Sequence, residues 1–89
     1  HVGDGNFHFG YLLDPNIPEE RVTAEALNHK LVARALSMGG TCTGEHGVGV
    51  HKMGFLLDEA GAGAVDMMRA IKRALDPKNI LNPGKIFAL

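Results

Sequence analysis

Several features that would decide a protein's class are scarce in this 89-residue chain. Cysteine occurs once, at position 42, which rules out a disulfide within the chain and fits a reducing compartment. Charge of neither sign prevails: the formal net charge is −1 and the pI about 6.6, so no basic field exists to draw in nucleic acid or an anionic membrane surface. No apolar run approaches the roughly 18 residues of a bilayer span, and no secretory signal pattern is present. Internal repeats, low-complexity runs and flexible linkers are absent. So is an initiating Met: the chain opens on His1 and is expected to be a piece of something larger in which His1 is internal. At this length it is at most one small domain, near the size where a single core is only marginally adequate.

What the chain does have is glycine and histidine gathered into two dense stretches. The first, His1-Val2-Gly3-Asp4-Gly5-Asn6-Phe7-His8, sets two imidazoles, a carboxylate and two glycines within eight residues. One Asp-Gly or Gly-Asn pair already makes a tight reversal, so the second glycine and the flanking histidines answer some further demand. A metal ion held by two neutral imidazoles is such a demand. In a continuous strand, seven steps would carry His8 roughly 23 Å from His1 and onto the opposite face. Gly3 and Gly5 accept positive φ, so the segment can fold back and let the rings converge. A polar turn leading into a strand, with histidines that meet nothing, fits the same spacing.

The second stretch is Gly44-Glu45-His46-Gly47-Val48-Gly49, with His51 and Lys52 close behind. Its spacing matches neither the dinucleotide nor the P-loop fingerprint. Glycine here lets the backbone lie against a flat ligand while Glu45 and His46 project into a site. Glu45 would complete a set of two histidines and one carboxylate, which leaves coordination positions open for catalysis. His51 reads as a surface residue at a helix start. Cys42, between Thr41 and Thr43, reads as a small buried side chain before it reads as a catalytic thiol.

Periodicity supplies the frame. Phe7, Phe9, Tyr11 and Leu13 alternate with His8, Gly10 and Leu12, the pattern of a strand with an aromatic core face, ended by Asp14-Pro15-Asn16 and Pro18. Gly10, beside His8, leaves room on the other face for a ligand. Glu19 to about Met38 reads as a helix with Ala24, Leu27, Leu31, Ala35 and Met38 as its apolar stripe and Gly39-Gly40 as its stop, leaving His29 on the surface. Thr41–Thr43 reads as a short second strand. A helix from about Gly61 to Leu75 carries the stripe Ala64, Met67, Met68, Ile71 and Leu75, with Asp66, Arg69 and Arg73 outside it. Asp76-Pro77 stops that helix, and Asn82-Pro83-Gly84-Lys85 makes a further turn. The expected class is therefore α+β, part of a sheet-and-helix cap: strand, long helix, strand, then C-terminal helices. Two short strands are unstable alone, so further strands are expected from sequence outside the chain.

Taken in order, HVGDGNFH, TCTGEHGVG and ALDPKNILNPGKIF resemble the C-terminal end of the FAD-linked oxidases of the vanillyl-alcohol oxidase type. Within that family the likeness is to flavin-dependent D-lactate dehydrogenases first, with glycolate oxidase FAD subunits and D-2-hydroxyglutarate dehydrogenases as relatives. It runs through all 89 residues. The resemblance implies that residues 1–89 belong to the substrate-facing cap domain, and that an N-terminal domain outside the chain holds most of the FAD. It implies that His1, His8 and Glu45 bind a divalent metal, that His46 is the active-site histidine beside the substrate, and that Asn82 lies in a segment approaching the flavin. Gly10 stands where the hydroxyglutarate enzymes carry an asparagine that touches substrate, which points to a smaller acid such as D-lactate.

The implied chemistry is oxidation of a small D-2-hydroxy acid to the 2-oxo acid. A zinc, manganese or iron ion would polarise the hydroxyl, His46 would take its proton, and FAD would accept hydride. The implied location is the cytoplasm in a bacterium and the mitochondrion in a eukaryote. Apolar surface left bare in the isolated piece should promote self-association. The same three ligands would also serve a metallohydrolase, and the piece would also suit a non-catalytic subunit-contact domain. A flavin spectrum and turnover of D-lactate by the intact protein separate these readings.

Overall fold

Helix boundaries follow the prolines and glycines of the chain. In the computed structural model, which describes residues 2–89, α1 is Pro18–Ser37, α2 is Met53–Ala60 and α3 is Ala62–Leu75. The chain divides into two compact units, His1–Gly44 and Glu45–Leu89.

In the first unit Pro18 opens α1, where its missing N–H is no loss and its fixed φ suits the helix. Ahead of it the carboxylate of Asp14 accepts the N–H of Asn16 at 2.9 Å, and Glu20 reaches back to accept the N–H of Asp14 at 2.6 Å. This turn feeds the chain into the helix. At the far end Gly39 takes φ +79°; its N–H donates to Leu36 O at 3.1 Å, and that of Gly40 to Ala35 O at 2.8 Å. These are the two bonds of a Schellman closure, and they satisfy carbonyls that the last turn would otherwise leave open. The helix thus lies within a residue of its expected span. Its stripe is only partly buried: Ala24 is buried, Leu31 and Ala35 are half-buried, Leu27 and Met38 are exposed, and Val32 is buried beside them.

The expected α+β arrangement does not form. The described residues are helical and contain no strand, so neither 6–13 nor 41–43 takes the strand assigned to it. Alternation fixes which side chains share a face, and the edge-to-face contact of Phe9 with Tyr11, ring centres 5.1 Å apart, is what a two-residue period produces. A strand also needs a neighbour to accept and donate along its backbone, and nothing among the described residues offers 6–13 such a ladder. Phe7, Phe9, Leu12 and Leu13 are accordingly exposed rather than core. At 41–43, flanking glycines already committed to turns leave too short a segment to pair. Cys42 is buried, as its small side chain suggested.

The second unit is built on α2 and α3, which pack on each other. The sequence pattern passed over α2, because eight residues span barely two turns and show no repeat. It nonetheless supplies Phe55 and Leu56 to the core opposite the Val65 side of α3. Gly61 joins the two helices at φ +86°, ψ 161°. Its N–H donates to Leu57 O at 2.9 Å and its carbonyl accepts from Val65 N at 3.1 Å, so one residue closes α2 and starts α3.

The buried face of α3 also differs from expectation. Val65, Met68, Arg69, Lys72 and Asp76 turn inward, while Met67, Ile71 and Leu75 of the expected stripe are 67%, 54% and 79% exposed. Local polar bonding accompanies that face. Arg69 donates to Ala88 O and to Asp66, and Lys72 to Asp76, so their charged ends are satisfied while their stems lie along the core.

Because Gly61 sits in a backbone region that only glycine occupies without strain, Gly61→Ala is expected to lower the unfolding free energy by about 1–3 kcal/mol. A Cβ there would meet nothing within 4 Å, so the cost is purely backbone. Urea denaturation followed by helical circular dichroism measures it; an unchanged midpoint would show that the joint does not take this conformation.

Candidate functional site

Each dense motif is shaped by its glycines before its side chains matter. In the first unit, Val2–Asp4 forms a 3₁₀ turn closed by the N–H of Gly5 donating to Val2 O at 2.9 Å, with Gly5 at φ +77°. A 3₁₀ turn that ends at one left-handed glycine therefore precedes Asn6 and His8. His8 follows, exposed, and His1 lies outside the described residues. Between them the half-buried Asn6 lays its amide against Gly44: a Cβ at Gly44 would sit 2.3 Å from Asn6 Oδ1 and 2.8 Å from its Cγ and Nδ2. A side chain at 44 would have to displace that amide, so the glycine allows the close approach. It ties the first motif to the residue directly before Glu45.

In the second unit Glu45 and His46 lie in a turn rather than an extended segment, followed by Gly47 at φ +77° and Gly49 at φ +55°. Glu45 Oε1 and His46 Nε2 approach to 3.8 Å, with the side chains 45% and 76% exposed. Adjacent residues in a strand would point apart; this turn keeps the two ends together. A carboxylate oxygen and an imidazole nitrogen facing one open volume are donors suited to a divalent ion or to a substrate proton. At Gly47 and Gly49 an added Cβ would meet nothing within 4 Å, so the space on that side of each glycine is open.

Asn82 belongs to a turn with unusual backbone geometry. Asn79, Asn82 and Ile86 take φ +52°, +45° and +71°, and Gly84 takes +73°. Left-handed residues are costly, most of all a β-branched one such as Ile86, and persist only where surroundings hold them. Two anchors do so. At the entry stands Asp76, directly after α3: its Oδ1 accepts the N–H of Ile80 at 3.1 Å, its Oδ2 accepts that of Leu81 at 2.9 Å, and Lys72 Nζ donates to Oδ2 and to Leu81 O. At the exit, the N–H of Ile86 donates to Gly49 O at 2.7 Å. The Asn82 turn and the Glu45–Gly49 loop are thereby joined within one unit.

Sequence reasoning took Asp76 only as a helix stop and missed it as an anchor. The Lys72–Asp76 spacing of four, followed by free N–H groups four and five residues on, was the available signal. Asn6 had no comparable signal, because its role depends on a glycine far along the chain. A groove of about 360 Å³ between Tyr11–Leu13 and the first half of α1 contains none of His8, Glu45, His46 or Asn82. No helix among the described residues is long and apolar enough to cross a membrane.

Residues 1–86 match the family described as FAD linked oxidases, C-terminal domain. Among curated proteins, the mitochondrial D-lactate dehydrogenase (cytochrome) of Arabidopsis thaliana is 56% identical over 86 residues, covering 97% of this chain and 15% of that protein. The corresponding enzyme 1 of Saccharomyces cerevisiae is 54% identical over 87 residues, 98% of this chain and 14% of its own. A glycolate oxidase subunit of Bacillus subtilis is 43% identical over 88 residues, 99% and 19% respectively. The chain thus spans less than a fifth of the length of these relatives.

The bonds to Asp76 hold its carboxyl at a pKa of about 2, below the ordinary 3.8, chiefly through the Lys72 ammonium and then the Leu81 N–H. A lowered carboxylate pKa contributes stability that is fully present above the unfolded value and is lost as pH falls through the folded one. The C-terminal unit is expected to lose this contribution between about pH 4 and pH 2, and Asp76→Asn to lose it at every pH. Acid titrations of both proteins, followed by circular dichroism, should therefore converge at the low end; curves that stay parallel would remove Asp76 as the source.

Proposed function

The chain belongs to the FAD-linked oxidase C-terminal domain family, and from that membership we propose that it forms the substrate- and flavin-facing wall of an oxidoreductase converting a small D-2-hydroxy acid, D-lactate, to the 2-oxo acid. The intact enzyme is proposed to hold most of its FAD in a domain outside residues 1–89. It works in the mitochondrion in a eukaryote and in the cytoplasm in a bacterium. Support for D-lactate comes from mitochondrial relatives above 50% identity, those of Arabidopsis and Saccharomyces among them; the Bacillus glycolate oxidase subunit favours glycolate, by the same chemistry, as the second substrate.

The observation that carries the reading is the Ile86 N–H to Gly49 O bond. Oxidising a secondary alcohol removes hydride from Cα and a proton from the oxygen bonded to it. The segment addressing the electron acceptor and the segment carrying the base must therefore be neighbours. The bond from Ile86 N–H to Gly49 O, which joins the segment after Asn82 to the loop after His46, supports such an arrangement.

His46 accepts the hydroxyl proton of the 2-hydroxy acid on its neutral ring nitrogen, which leaves the alkoxide electron pair to form the carbonyl as hydride departs. FAD, when bound, supplies the two-electron acceptor for that hydride. Asn82 lies in the segment that would approach the flavin, and the open space beside Gly47 and Gly49 would admit a flat ring or a small acid. A divalent ion, when bound, supplies a Lewis acid for the hydroxyl and carboxylate oxygens. The donors fit such an ion: His1, His8 and Glu45 would hold it, and two imidazoles with a carboxylate suit zinc, manganese or iron. Every described member of this set is exposed, so exclusion of water has to come from another surface of the intact protein.

In the intact enzyme His46→Ala is expected to keep metal and flavin while kcat falls roughly 10²–10⁴-fold. His8→Ala and Glu45→Gln are expected to lose the metal, measured by elemental analysis. Loss of metal in His46→Ala, with chemistry restored on adding metal back, would make His46 a ligand instead.

The 89-residue polypeptide alone is expected to retain no FAD, to turn over no D-lactate, and to self-associate through the exposed Met67, Ile71 and Leu75 side of α3. Sedimentation and a visible spectrum measure this; yellow, active, monomeric protein would contradict it.

A further inference from the structure

The buried carboxylate of Asp76 has no part in the chemistry above, yet it makes more bonds than any other side chain of the second unit whose partners are described. Those bonds fall on one place. Ile80 N–H and Leu81 N–H reach its two oxygens at 3.1 and 2.9 Å, and Lys72 joins the second oxygen to the carbonyl of Leu81. Both backbone polar groups of Leu81, the residue directly before Asn82, are therefore held by one ion pair. Asn82 then leaves that fixed peptide at φ +45°, with Pro83 next restricting the chain, and Ile86 returns it to Gly49.

We propose that Asp76, together with Lys72, is the positioning pair that sets the Asn82 turn against the flavin. The proposal rests on the reading that Asn82 faces the flavin. A carboxylate only accepts, so it cannot satisfy the carbonyls left open at the end of α3, whose last regular bond is Asp76 N–H to Lys72 O at 2.8 Å. The side chain instead serves the turn that follows. A carboxylate is required, because its oxygens receive two N–H groups and an ammonium. The amide of Asp76→Asn would point N–H at a donor whichever way it turned. Lys72 supplies the charge and bridges to the Leu81 carbonyl; arginine at 72 retains both abilities, whereas methionine retains only the stem.

The test uses the intact flavoenzyme. Asp76→Asn and Lys72→Met are expected to weaken FAD binding about tenfold and to shift the visible flavin spectrum and reduction potential, with the metal content of the wild type. Lys72→Arg should restore all three. Asn82→Ala, which leaves the anchor intact, should reproduce the spectral shift. If Asn82→Ala alters the flavin while Asp76→Asn and Lys72→Met change only thermal stability, the positioning role is overturned and the Asn82 reading stands. If none of the three alters flavin affinity, spectrum or potential, the Asn82 reading fails and the proposal with it. Should Asp76→Asn not fold, the Lys72→Met and Lys72→Arg pair decides the matter alone.

Discussion

The carboxylate of Asp76 is the interaction on which the C-terminal unit depends most. An aspartate loses little by leaving water when an ammonium and two peptide N–H groups replace its hydration, and the same bonds lower its pKa. Its position one residue past α3 is what gives the bond reach. The helix is a rigid lever packed on α2, and Asp76 transfers that rigidity to a turn that has no regular structure of its own. Without such an anchor, left-handed Asn79, Asn82 and Ile86 would relax toward commoner conformations, because each costs free energy that only fixed neighbours offset.

Rigid support of this kind is needed because the candidate chemistry sits on loops. Neither Glu45, His46 nor Asn82 lies in a helix, and His8 lies in an irregular segment. Loops carry function well when their backbones are tied at both ends. Here the ties are a glycine turn before His8, the Asn6 amide seated on Gly44, and the paired anchors of the Asn82 turn. All of them act on backbone, so they fix direction without occupying the space a ligand needs.

How far the sequence discloses this differs by feature. Helix α1 was legible at both ends, since Pro18 and Gly39-Gly40 are local signals whose physics needs no tertiary partner. The first two motifs stand out in the sequence because histidine, carboxylate and glycine crowd together there, and the structure sets Glu45 and His46 in one turn. The strands at 6–13 and 41–43 were misread, because alternation describes side chains while a strand is a contract between two backbones, and no partner exists among the described residues. The inward face of α3 was misread for a related reason. Apolar periodicity pointed to Met67, Ile71 and Leu75, but the bonds of Arg69 and Lys72 satisfied their charges and let polar residues turn inward. Asn6 and Asp76 act through geometry that pattern reading does not reach.

The link between the Asn82 turn and the Glu45–Gly49 loop has one more consequence for the proposed enzyme. Because Ile86 N–H and Gly49 O are joined directly, a displacement of the turn is passed to the loop that carries the candidate base. Hydride and proton leave adjacent atoms of one substrate, and an error of about 1 Å in either direction costs rate steeply. Two independently mobile loops would have to find the right separation at every turnover. A single backbone bond of fixed length removes that search, and the Asp76 anchor then sets the height of both segments from one end of α3. On this reading, electron transfer and proton transfer share a mechanical support even though they use different side chains.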